Sequence, residues 1–349
     1  MKTGKSLIEL ATELQRQSEA KQDFVTSTEN LELQPSGELV LTKSNESFSF
    51  PTSENAHTQI AQNLKIPVKY YRRMRHEAPE LLATNVNTWF ADQPKRRMIR
   101  TLDGNARAYL SDRYRRLDNF QLADVVLNVL SEMGKNVKIV SSELTENRMY
   151  IKAINQGLQL DVKPGDTVQA GICISNSEVG LGSLSVEPLI YRLVCTNGMI
   201  ARDFSTKKYH VGRAMDSSAF ELFGDDTLKA DDKAFFLKIR DTVKAAVDMA
   251  KFSLIVDQLK ESTEKQITGN PVKTVELLSK DSDYTEEESS GILTHLIRGG
   301  DLTAFGLSNA VTRTAQDLEN YDRATHFERE GSRIITLPNS AWEKLATAT

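Results

Sequence analysis

Two cysteines are all this chain has, and each stands alone in an apolar run: Cys173 in GICIS and Cys195 in YRLVC. That excludes a disulfide framework and leads us to expect two buried thiols in a reducing compartment. No stretch of about 18 apolar residues exists, which excludes a helical membrane span. Met1–Ser6 leads into a polar amphipathic stretch without the apolar core of a signal peptide. The expected location is the cytoplasm, with no membrane partner. Internal repeats and low-complexity tracts are missing too. With 39% apolar and 26% charged residues, the 349 residues suffice for one large domain or two ordinary ones.

Motifs for metals and nucleotides are also lacking. His57, His76, His210, His295 and His326 show no metal-ligand spacing, and neither cysteine has a partner nearby. No metal and no cofactor is therefore expected. Thr3-Gly4-Lys5-Ser6 resembles the tail of a phosphate-binding loop but lacks the upstream glycine and strand. Asp281-Ser282-Asp283 begins like a calcium loop, yet Glu286 and Ile292 stand where glycine and glutamate are required. Thr285 with Glu288 reads instead as a capping box. Gly180-Leu181-Gly182 lacks the third glycine of a dinucleotide fingerprint, and no serine sits in a nucleophile elbow.

What is present begins with a charge asymmetry. Residues 1–215 carry 28 Lys+Arg and 24 Asp+Glu, a net +4; residues 216–349 carry 16 and 24, a net −8. An anionic partner at the front is compatible with that division.

Apolar spacing predicts a first helix over 4–20, then short antiparallel strands across 22–50 with a turn at Pro35-Ser36-Gly37. Helices follow from Ser53 to about Leu64, from Pro67, and from Pro79 to Phe90. Asp103-Gly104 between 96–102 and 106–111 is a hairpin signal. A helix from Asp118 or Asn119 ends at Gly134. The period then switches to two in 137–144, 148–154, 168–175 and 184–195, with a shorter strand near 209–211. Such a succession forms an antiparallel sheet. From Lys229 the pattern is helical, with Asp225-Asp226 as a hinge. The expected fold class is α+β: residues 1–215 as a basic core domain and 229–349 as an acidic helical region on or beside it.

The most distinctive chemistry lies in 95–116, KRRMIRTLDGNARAYLSDRYRR. Eight basic residues stand against two acidic ones, a net +6 in 22 residues, and seven of the eight are arginine. Arginine offers a planar fork suited to phosphate and stacks on bases. Lys65, Lys69, Arg72, Arg73 and Arg75 with Tyr70 and Tyr71 form a second cluster, and Lys207, Lys208, Tyr209, His210 and Arg213 a third. Convergence of the three would make a groove that tracks a phosphate backbone. Charge runs also form solvated faces, and strand alternation allows only part of the cluster to line one surface. Ser175–Gly182 is a polar loop joining two apolar strands. Its Glu178 needs a cationic partner if buried, with Arg113 and Arg192 as natural choices.

Four stretches carry a resemblance: RAYLSDRYRRLDN (107–119), GICISNSEVGLGSLSVEPLIYRLVCTNGM (171–199), YHVGR (209–213) and NAVTRTAQDLENYDRATHFEREG (309–331). Together they resemble the phage/plasmid-like protein family, a domain of unknown function (DUF 932). The resemblance covers most of the chain from about residue 50. It implies a mobile-element context, where recombination, replication and host takeover are common tasks, and brings no established activity. A sheet of successive strands beside a basic groove is similar in outline to ring-forming single-strand annealing proteins, at fold level alone.

Three functions follow as expectations. The first is a nucleic-acid-binding protein of a phage, plasmid or integrated element, for DNA ahead of RNA, acting on single strands, with a homo-oligomer as one form it could take. Arg107, Arg113, Arg115, Arg116, Lys207, Lys208 and Arg213 would contact phosphates, and Tyr109 or Tyr114 would stack on bases. The second is an enzyme acting on a phosphorylated small molecule or nucleic acid, with Glu178 as acid or base and Arg113 and His210 clamping phosphate. The third is an interaction protein that binds a host or phage factor through the acidic helices.

Overall fold

The structure is a computed structural model. It describes every residue except 45, 115, 183, 202–224 and 247–248, and gives only the backbone of 225–232 and 245–246. The expected strand near 209–211 and the third basic cluster lie outside the described residues.

The chain begins with α1 (Leu7–Ala20) and β1 (Lys21–Ser27). Ser6, the serine of the phosphate-loop look-alike, caps α1 in a capping box with Glu9. A small meander follows, β2 (Leu31–Leu33), β3 (Leu39–Lys43) and β4 (Glu46–Phe50), then α2 (Glu54–Asn63), α3 (Val68–Glu77) and α4 (Pro79–Asp92). The hairpin β5 (Arg96–Leu102) and β6 (Asn105–Ser111) turns on Asp103 and Gly104, whose φ of 51° and 74° are left-handed, as a two-residue hairpin turn requires. β1 leaves the meander and pairs antiparallel with β5, giving a separate three-stranded sheet in the order β1-β5-β6. One apolar cluster unites these parts: Leu33 and Leu41 from the meander, Ile60, Tyr71 and Phe90 from the helices, and Ile99 and Tyr109 from the hairpin.

The centre is α5 (Asn119–Glu132) and a five-stranded meander: β7 (Val137–Leu144), β8 (Met149–Lys163), β9 (Asp166–Asn176), β10 (Ser185–Arg192) and β11 (Asn197–Ile200). Every neighbouring pair is antiparallel. The middle strands are buried on both faces, which explains their near-continuous apolar runs. Ile151, Ile172 and Ile174 face α1, α5 and α6 (Asp225–Ala246), meeting Leu10, Val126 and Val243. Val168, Ile190 and Met199 meet α7 (Met249–Glu264) through Phe252 and Val256. Asp225 and Asp226, expected as a hinge, instead open α6. Acidic residues favour a helix N-terminus, where the peptide dipoles leave partial positive charge.

The rear is helical: α8 (Pro271–Ser282), α9 (Glu286–Gly299), α10 (Ala304–Thr314), α11 (Tyr321–Ile335) and α12 (Asn339–Ala346). Thr285 and Glu288 form the capping box expected at the false calcium loop. α8 starts on an Asn270 cap with Pro271 in its first turn. These helices have their own apolar core, including Ile292, Leu307, Phe327 and Trp342. The fold is thus α+β, with antiparallel sheets in front and helices behind. Cys173 is buried and Cys195 half-buried, and both are free thiols. Among the described residues, no helix is long and apolar enough to cross a membrane.

Candidate functional site

The arginine-rich hairpin divides its cations between two environments. Arg100 is fully buried. Its guanidinium donates to Asp23 Oδ1 at 2.9 Å, Asp118 Oδ1 at 2.7 Å and the Glu178 carbonyl at 3.1 Å. Burial opposes its charge, but the Asp23 and Asp118 carboxylates outweigh it and hold Arg100 above its ordinary pKa. Lys21 completes the network 2.6 Å from Asp118.

Arg107 points the same way and pairs with Glu178, whose other oxygen accepts from the Asn119 backbone N–H at 2.5 Å. The expected partners of Glu178 were Arg113 and Arg192. Arg113 is exposed, and Arg192 pairs with Asp166 at 2.6 Å. The loop carrying Glu178 is fastened further. Asn176 donates to the Leu117 carbonyl at 3.0 Å, the Tyr114 hydroxyl to that of Ser177 at 3.0 Å, and Gln59 to that of Val179 at 2.7 Å. Gly180, at φ 77°, makes the left-handed turn this loop needs. Asn176, placed by the sequence in the loop, is instead the last residue of strand β9.

Two of the family-like stretches, 107–119 and 171–199, are therefore partners in one buried polar clasp. Glu178 is 5% exposed with both oxygens engaged, so neither is free to reach a substrate proton. Arg107, expected on phosphate, is committed to the clasp.

The outward cations gather at the other end of the hairpin. Register pairs Arg97 with Ser111, which sets residues 95–97 beside 111–114. Between them runs an open groove of about 610 Å³ lined by Lys95, Arg96, Arg97, Arg113 and Tyr114, with Asp112 as its carboxylate. Among the described residues, none of the four cations has an ion-pair partner. Arg97 lies 5.7 Å from the Tyr109 ring centroid.

Tyr109 itself is 3% exposed and stacked on Phe90, with centroids 6.0 Å apart. Burial raises its hydroxyl to about 12. No base can reach that ring, so its expected stacking role is corrected to a core role. Tyr114 is half-buried and lines the groove. Arg116 is exposed and lies 3.5 Å from Asp23.

The second cluster is largely neutralised. Glu54 takes Arg72 at 2.7 Å and Arg75 at 2.5 Å, and Glu77 takes Arg73 at 2.7 Å. Tyr71 is buried against His57, whereas Tyr70 is exposed. Among the described residues, Lys65 and Lys69 have no ion-pair partner. Lys65 lines a second, smaller cavity with Trp89 and Lys95, so Lys95 borders both hollows. Trp89 is not among the candidate residues of the sequence; it stands seven residues after buried Leu82, at the margin of the apolar face of α4. Arg115, Lys207, Lys208, His210 and Arg213 lie outside the described residues.

The family-like stretch 309–331 docks elsewhere. Lys152 on β8 reaches Glu328 on α11 at 2.6 Å and Thr325 at 3.0 Å, and lies 4.5 Å from the Tyr321 ring centroid. Burial opposes the charge of Lys152, but Glu328 outweighs it and the lysine stays above its ordinary pKa. Cys173 beside it is pushed up to about 12 by burial, so it is no nucleophile. A lysine inside the apolar strand RMYIKAI was the legible hint of a buried pair. Arg329 adds a bridge to Glu187 at 2.6 Å.

No curated protein and no solved structure matches the chain. A family model described as a domain of unknown function (DUF932) matches residues 106–334. That span holds the Arg107–Glu178 half of the clasp, the central sheet and α11; it leaves out Arg100 and Asp23, and it cuts the groove between its Lys95–Arg97 side and its Arg113–Tyr114 side. With about two-thirds of its length inside that match, the chain belongs to the DUF932 family.

Proposed function

We propose that the protein binds single-stranded nucleic acid, DNA ahead of RNA, along the groove at the open end of the β5–β6 hairpin. One observation carries this reading: Lys95, Arg96, Arg97 and Arg113 share that groove without ion-pair partners among the described residues. Several arginines elsewhere in the front half are matched to carboxylates, such as Arg72 and Arg75 to Glu54 and Arg107 to Glu178. A concentration of unmatched arginine is costly in self-repulsion unless an anion visits. The guanidinium fork suits phosphate oxygens, and an open groove suits a chain rather than a small molecule. Resemblance to proteins of phages, plasmids and integrated elements supports a role in recombination or replication, in the cytoplasm, with several copies assembling along a strand to anneal it.

Fluorescence anisotropy of a labelled single-stranded oligonucleotide, titrated with protein at several salt concentrations, tests the proposal. Four phosphate contacts give a slope of log affinity on log salt of about −3. Absence of binding at low salt removes the reading.

A further inference from the structure

Beside the groove, the C-terminal ends of α2 and α4 enclose a cavity of about 250 Å³. The chain builds it with two helix endings. α2 stops at Asn63, and Lys65 takes a left-handed φ of 58°, which turns the 63–65 segment back over the cavity. α4 stops at Asp92, and the N–H of Gln93 returns to the Trp89 carbonyl. Thr28 joins the two sides: its hydroxyl donates to the Phe90 carbonyl at 2.9 Å and accepts from the Lys95 N–H at 3.1 Å. Lys95 is thereby held at the junction between cavity and groove.

The lining has a particular chemistry. Trp89, 42% exposed, lines the cavity with Phe90 and Leu64. Asn63 and Gln93 bring two side-chain amides, which donate and accept alike. Lys65 and Lys95 bring two ammonium groups. Among the described residues, the side chains of Asn63, Lys65, Gln93 and Lys95 have no hydrogen-bond or ion-pair partner. The volume is below the roughly 300–1,000 Å³ of pockets that enclose drug-sized ligands, and suits one flat ring system.

We propose that this cavity receives one unpaired nucleobase of the strand bound in the groove. The base stacks on Trp89, its polar edge meets Asn63 and Gln93, and its flanking phosphates meet Lys65 and Lys95. This rests on the groove binding nucleic acid, and it gives the preference for single strands a physical cause: a paired base is stacked in its duplex and cannot enter without being flipped out. An aromatic side chain of a partner protein would meet the same tryptophan but leave both ammonium groups without an anion, so the base is favoured.

Intrinsic fluorescence provides the test, because the second tryptophan, Trp342, is 6% exposed in the rear core. Titration with oligothymidylate is expected to quench emission in the native chain and not in Trp89→Phe. Trp89→Ala is expected to weaken single-strand binding by about tenfold, while Trp89→Phe keeps most of it. A duplex of equal length is expected to bind without quenching. Undiminished binding by Trp89→Ala, or binding to the native chain with unchanged emission, overturns the cavity and leaves the groove standing. Failure of anisotropy to show any binding overturns both.

Discussion

Lys152 Nζ lies 2.6 Å from Glu328 Oε2, and neither side chain is exposed at all. The pair joins the middle of the central sheet to α11, across a sequence separation of 176 residues. Removing one partner leaves the other charged and buried, at a cost of about 3–5 kcal/mol. Lys152→Met is expected to lower stability by that amount in urea denaturation. Combining it with Glu328→Leu restores much of the loss, because an apolar pair leaves no orphaned charge. A double variant no more stable than the single one contradicts this account.

Arg100 anchors the clasp with three acceptors on three segments. Arg100→Met leaves Asp23 and Asp118 facing an apolar side chain, and a loss of about 3–5 kcal/mol is expected. Arg100→Lys recovers little, since a single ammonium cannot span the acceptors that the fork reaches. Thermal and urea unfolding of both variants check this. Full stability of the lysine variant would show that charge alone matters there.

His57 introduces acid sensitivity. Burial, aided by the Arg75 charge, lowers it from the ordinary 6.5 to about 4. Its depressed pKa means that the unfolded chain binds a proton more readily than the fold between those two values. Stability is therefore intact above pH 6.5 and declines as pH falls towards 4, by about 3 kcal/mol in all. Unfolding free energies measured across pH 4–7 are expected to lose this component in His57→Gln. An unchanged slope in that variant rejects the assignment.

Arg113 and Arg73 offer a matched comparison. Both are exposed arginines, but Arg113 lines the groove and Arg73 is paired with Glu77. Arg113→Ala is expected to weaken oligonucleotide binding and flatten the salt slope by about 0.7. Arg73→Ala should change neither. Equal effects from the two variants would point to diffuse charge attraction rather than a groove.

Much of the local architecture was written in short-range pattern. Asp103-Gly104 specified its hairpin, Thr285 with Glu288 specified a helix start, and strand-like apolar runs specified the first part of β8 and most of β9. These signals depend on φ preferences and on neighbours within a few residues. The departure of β1 from the meander to pair with β5 had no such signal, because both edges of a short strand are open to any partner.

The candidate site divides along the same line. Composition alone established that residues 95–116 carry a net +6 and that no disulfide framework exists. The hairpin's alternation also implied that the arginines must split between two faces. Which of them are spent could not be read from the chain. Arg100 and Arg107 meet Asp23, Asp118 and Glu178 from segments up to 78 residues away, while Arg96, Arg97 and Arg113 meet no carboxylate among the described residues. A carboxylate neutralises a guanidinium only through close approach in space, and that proximity arises from the packing of distant segments.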